Sequence, residues 1–229
     1  MAARYAIYYA PAPDSPLWQV ASRWLGRDAA SGELIAQPSF EALADLDFAS
    51  LTADPRHYGF HATLKAPFAL AQAKSEAELI ADAHEFAATR RAFSASIRPR
   101  ALGPFLAFQI EAPCPAMNAL EADCVRDFDP FRAPLTEHDL ERRRRAPLTA
   151  AQDAQLVEWG YPYVFEDFRF HMTLTGAIAD EAARERVLRV AEDYFAGVPS
   201  DHAFGSISLF RQPDRMSPFV IIGRFAFGG

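Results

Sequence analysis

The chain has 229 residues, half of them hydrophobic, and a formal charge of −7. That is enough apolar material for one sizeable core, and the negative field disfavours long nucleic acid as a habitual partner. No run of about 18 apolar residues occurs, which excludes a helical membrane span, and no targeting segment is visible at the N-terminus, so a soluble cytoplasmic protein is expected. Cys114 and Cys124 have neither metal-ligand spacing nor a disulfide framework around them, pointing to a reduced interior.

Residues 4 to 10 are rich in aromatics and stop at Pro11, as a buried strand would. Asp14 or Ser15 can cap a helix with Pro16 in its first turn, an apolar stripe through Leu17, Val20, Ala21, Trp24 and Leu25, and a stop at Gly26. Residues 27 to 55 lack a period and are punctuated by prolines and aspartates, which predicts a long surface loop with short helical pieces.

Next comes Tyr58-Gly59-Phe60-His61-Ala62-Thr63-Leu64. In a strand, alternate side chains share a face, so His61 and Thr63 project together. A helix follows, with Ser75 and Glu78 as a capping box and Leu79, Ile80, Ala83, Phe86 and Ala87 at helical spacing. Phe93 to Ile97 and Phe105 to Ile110 then read as a hairpin.

Residues 115 to 165 hold two helical stretches separated by Asp129-Pro130-Phe131-Arg132-Ala133-Pro134-Leu135. One carries Arg142-Arg143-Arg144-Arg145 after Glu141, a run that reads first as a solvated helix face and second as a phosphate-recruiting patch.

The motif returns as Phe168-Arg169-Phe170-His171-Met172-Thr173-Leu174. Asp180 caps a helix that ends near Gly197, and strands follow at Phe204 to Phe210 and Phe219 to Phe227. His61 to Phe93 spans 32 residues and His171 to Phe204 spans 33. Matching order and offsets predict an internal duplication, approximately 1–112 and 113–229 within one bilobal domain.

Each His-x-Thr face offers a proton carrier near neutral pH beside a hydroxyl donor. Two such faces on one cleft supply a base for water, an acid for a leaving sugar oxygen and two donors for phosphate oxygens, which suits metal-independent opening of a cyclic phosphate. The expected catalytic set is His61, Thr63, His171 and Thr173, with no metal and no cofactor. Tyr58, Lys65, Tyr163, Arg169 and Arg132 are substrate-binding candidates, Lys65 and Arg169 because strand parity puts them on the His-Thr faces. His57, His84, His138 and His202 are expected to be non-catalytic.

The paired motifs resemble those of the two-histidine (2H) phosphoesterase superfamily, which includes cyclic phosphodiesterases and 2'-5' RNA ligase-like proteins. More narrowly, residues 58–68 and 168–176, with Arg4-Tyr5-Ala6-Ile7-Tyr8, Phe131 to Leu135 and Trp159-Gly160-Tyr161-Pro162-Tyr163, resemble a bacterial family of uncharacterised proteins linked with phosphonate catabolism. The resemblance implies an α+β fold of two pseudo-symmetric lobes, each an antiparallel sheet backed by helices, with the active cleft between them. The partner expected is a small phosphate ester, such as a ribose cyclic phosphate. An RNA-end enzyme and a non-enzymatic nucleotide sensor are the alternatives.

Overall fold

The computed structural model describes residues 3–229. Its strands are β1 (Arg4–Tyr9), β2 (Ala62–Ala69), β3 (Phe93–Leu102), β4 (Phe105–Ile110), β5 (Met172–Thr173), β6 (Asp201–Phe204), β7 (Ser206–Gln212) and β8 (Val220–Ala226). They form one antiparallel sheet in the order β6-β3-β4-β5-β2-β1-β7-β8. Four strands lie on each side of the β2–β5 junction, which is held by a single register pair, Ala62 with Met172. The expected α+β arrangement of antiparallel strands backed by helices is present.

The helices are α1 (Pro16–Leu25), α2 (Phe48–Leu51), α3 (Ala53–Tyr58), α4 (Glu76–Ala88), α5 (Pro115–Asp127), α6 (Glu137–Arg143), α7 (Ala150–Trp159) and α8 (Glu181–Tyr194). Local chemistry sets their ends. The Ser15 hydroxyl accepts from the Trp18 amide to start α1, and Gly26 stops it in the left-handed region at φ 81°. Ser75 and Glu78 close the capping box of α4 as expected.

Alternation along β1 divides the interior. Tyr5, Ile7 and Tyr9 enter the main core with Leu79, Ala83 and Phe86 of α4, Met117, Leu120 and Cys124 of α5 and Val187 and Ala191 of α8. Ala6 and Tyr8 enter a smaller core with Trp18, Phe210 and Phe219 on the opposite face. Cys114 and Cys124 are both free thiols.

The structure departs from two sequence expectations. The second copy of the motif forms a strand of only two residues, and its continuation, Leu174 and Thr175, instead hangs both amides on the Leu106 carbonyl. The segment from 115 to 165 carries three helices, because Thr136 caps a short α6 that the arginine run had merged with its neighbour. Among the described residues, no helix is long and apolar enough to cross a membrane.

Candidate active site

The β2–β5 junction brings the two motifs onto adjacent antiparallel strands, and His61, Thr63, His171 and Thr173 all line one cleft of about 260 Å³. The Thr63 hydroxyl lies 3.4 Å from His61 Nε2, as parity requires of residues two apart in a strand. Each imidazole is held the same way. His61 Nδ1–H donates to the Gly59 carbonyl at 2.8 Å, and His171 Nδ1–H donates to the Arg169 carbonyl at 2.7 Å. A carbonyl only accepts, so the proton of each neutral ring sits on Nδ1 and the Nε2 lone pair is left for the cleft.

Burial lowers the proton affinity of both rings. It pushes His61 down to about 4, with the hydrogen bond to Gly59 opposing and a charge on His171 lowering it further. His171 is lowered by burial against the hydrogen bond to Arg169. The Tyr8 ring stacks on His61 at 3.8 Å between centroids, and Phe105 tilts against His171 at 5.9 Å, so an aromatic from a neighbouring strand walls in each imidazole.

The cleft also contains residues that sequence reasoning had not assigned to it: Arg4, Tyr8, Tyr161 and, from the arginine run, Arg142 and Arg143. The run is therefore split. Arg144 turns outward to an exposed ion pair with Asp153, while Arg143 packs over the Tyr161 ring at 5.1 Å. Alternation in residues 4 to 8 held the signal for two of these, since Arg4, Ala6 and Tyr8 share the face opposite the main core.

Of the five binding candidates, Tyr58 lines this cleft, its ring stacked on Phe219. Tyr163 and Arg169 line an adjoining apolar pocket of about 300 Å³, together with Leu102, Phe105, Phe168 and Glu121. The other two are placed elsewhere. Lys65 is buried at 3% exposure, where its ammonium donates to the Val125 carbonyl and pairs with Asp129 at 2.9 Å. The cause is a register shift in β2, in which Tyr8 opposes Thr63 but Ile7 opposes Lys65, so parity is lost and Ala66 takes the cleft-facing place. Arg132 binds the same Asp129 at 2.8 Å and the Glu158 carbonyl at 2.7 Å, bracing the chain around Gly160. Among the described residues, no three His, Cys, Asp or Glu side chains converge on a possible metal position.

An antiparallel sheet that brings two His-x-Thr faces to one cleft defines the architecture. The chain belongs to the family described as "Protein of unknown function (DUF1045)", whose model matches residues 63–220. It is 43% identical over 231 residues to a protein named ribose 1,5-bisphosphate phosphokinase PhnN from Janthinobacterium sp. (strain Marseille), covering 99% of this chain and 51% of that protein. A protein of the same name from Laribacter hongkongensis (strain HLHK9) is 36% identical over 220 residues, with 94% and 50% covered. The chain thus spans about half the length of the curated relatives it matches. Among solved structures, TT0787 of Thermus thermophilus has a TM-score of 0.50 at 11% identity, with 99% and 98% of the two chains covered, a likeness of fold. E. coli LigT complexed with 3'-AMP has a TM-score of 0.47 at 12% identity over both whole chains.

Proposed function

We propose that the protein is a two-histidine phosphoesterase that opens a small cyclic phosphate, in the first instance a ribose cyclic phosphate. The observation that carries this reading is the pair of imidazoles lining one cleft, each with its Nδ1 held by a backbone carbonyl two residues upstream so that Nε2 is left free, with Thr63 and Thr173 lining the same cleft. The recurrence of Phe-His-x-Thr-Leu at residues 60–64 and 170–174 supports it, because leaving two imidazoles half-enclosed on apolar strands is costly without a task.

His61 is the base and His171 the acid. This assignment follows from burial, which lowers the proton affinity of His61 to about 4, and from a charge on His171, which lowers it further and so keeps His61 neutral while a proton resides on His171. Water attacks phosphorus and gives its proton to His61 Nε2; the ring P–O bond breaks, and His171 Nε2 delivers a proton to the departing sugar oxygen. The products are a phosphate monoester and a free hydroxyl. The anionic phosphate itself raises the proton affinity of His171 and so charges the acid on binding. Thr63 and Thr173 donate to the non-bridging oxygens, a contribution of about 3 kcal/mol per donor in the oxyanion holes of other enzymes. The name carried by the longer relatives, a kinase of ribose bisphosphate, supports ribose phosphate chemistry for the half they share with this chain.

The apolar pocket beside His171 favours one second reading, a nucleoside 2',3'-cyclic phosphate or RNA end whose base packs against Phe105 and Phe168. A phosphorus NMR panel of ribose 1,2-cyclic phosphates, nucleoside 2',3'-cyclic phosphates and cyclic-ended RNA oligomers decides between them. New monoester signals are expected from the ribose compounds, in the presence of EDTA. Reaction of the oligomers alone, rising with length and collapsing in salt, overturns the ribose reading; binding without turnover of any compound overturns the enzyme.

A further inference from the structure

The arginines of the cleft continue past the histidines into a second cavity of about 380 Å³, bounded by Phe68, Pro134, Leu135 and His138 and sharing Arg4, Arg142 and Arg143 with the first. Arg215 lines the second cavity but not the first. Four guanidinium groups thus meet one carboxylate, Asp139, which pairs with Arg215 at 2.7 Å and Arg142 at 3.3 Å. Arg4 is held by the neutral side chain of Gln212 rather than by an acid. Among the described residues, Arg143 Nε finds no hydrogen-bond partner although it is shut away from solvent. In a chain of net charge −7, four guanidinium groups gathered at one cavity with a single carboxylate among them make a local positive patch that draws an anion.

We propose that Arg4, Arg142, Arg143 and Arg215 form a second anion subsite, which takes a phosphate monoester carried by the same substrate whose cyclic phosphate sits between His61 and His171. The subsite rests on the reading of the histidines given above and extends it: the substrate is a sugar with two phosphates, one cyclic and one terminal. Tyr8, Tyr58 and Tyr161 line the first cleft beside both the histidines and the shared arginines. A guanidinium fork donates to two oxygens of a tetrahedral terminal phosphate at once, and a dianion there is matched by more than one fixed cation. Taken together, the two cavities reach the size of small-ligand sites, about 300–1,000 Å³.

The test uses ribose 5-phosphate as a calorimetric probe, with ribose as the uncharged control. The sugar phosphate is expected to bind and ribose not, with the dissociation constant rising by about tenfold or more in Arg143→Gln and Arg215→Gln, the size of one lost charge-assisted contact. His171→Ala should retain binding. Equal affinity for ribose and its phosphate overturns the subsite, as does binding lost in His171→Ala but kept in Arg143→Gln. Circular dichroism melts of each variant separate lost contacts from lost fold, and the same comparison of Arg142→Lys, which keeps the charge and loses the fork, is read where Arg143→Gln does not fold. In turnover, a ribose cyclic phosphate bearing a 5-phosphate should exceed its unphosphorylated counterpart in kcat/KM by about tenfold or more, with the ratio falling toward one in Arg143→Gln. Equal kcat/KM for the two overturns the subsite alone; no ring opening in either removes the phosphoesterase reading, while calorimetry still decides the subsite.

Discussion

His61 and His171 act as one unit only if each supplies what the other lacks. His61→Ala and His171→Ala are each expected to remove nearly all ring opening, and the double variant should be little worse than either single one. Steady-state kinetics on the best substrate of the NMR panel measures this, and a single variant retaining most of the wild-type rate contradicts the paired mechanism. A second residue-scale expectation concerns Glu121, a carboxyl at 2% exposure that burial raises to about 7 while its Oε2 accepts from the Phe165 amide. Its folded value lies above the ordinary 4.5, so the folded state holds the proton longer. Stability from this group is full below about pH 4.5 and is lost as pH rises toward 7, by at most about 3 kcal/mol. Glu121→Gln keeps an acceptor for Phe165 without a charge. It should raise the melting temperature at pH 8 and change it little at pH 4; a larger gain at pH 4 would reverse the sign and refute this account.

At the scale of the element, β2 is where sequence reading succeeded and then failed. The pairing of His61 with Thr63 was legible because it depends on two residues of regular strand. Lys65 was misplaced because a register shift is dictated by what the neighbouring strand offers, here Ile7 and Tyr8, and not by β2 itself. The helices were readable for the opposite reason: caps such as Ser15 and Ser75 act within one turn. Arg143 and Tyr161 belong to distant segments that only tertiary packing unites, so no local period announced them. Ahead of β2, Gly59 ends α3 at φ 81° with space for a Cβ blocked by that of Ala29, 2.4 Å away. Gly59→Ala is therefore expected to cost at least 1–2 kcal/mol of backbone strain and to displace the carbonyl that orients His61. Thermal melts should fall by several degrees and kcat should fall with them; a variant with wild-type melting and rate would show that this turn is not what holds the ring.

Across the whole molecule, each side of the sheet borrows strands from the other part of the chain. β1 and β2 are completed by β7 and β8, while β5 is completed by β4, β3 and β6, with only the last of these drawn from beyond it. Splitting the chain at 112 would sever the β2–β5, β4–β5, β1–β7 and β3–β6 pairings at once. We expect neither 1–112 nor 113–229 to show a cooperative melt alone, and co-expression to restore one; cooperative unfolding of either isolated piece would count against this interlock. The junction between β2 and β5 is the thinnest point of the sheet, one register pair where β1–β7 has five. Parting the strands there would separate His61 from His171 while leaving every other ladder intact. Native-state hydrogen exchange at the amides flanking Ala62 and Met172 would then read out, without any substrate, the fraction of molecules in which the two histidines face each other, and an anion drawn into the cleft would slow that exchange by holding the strands together.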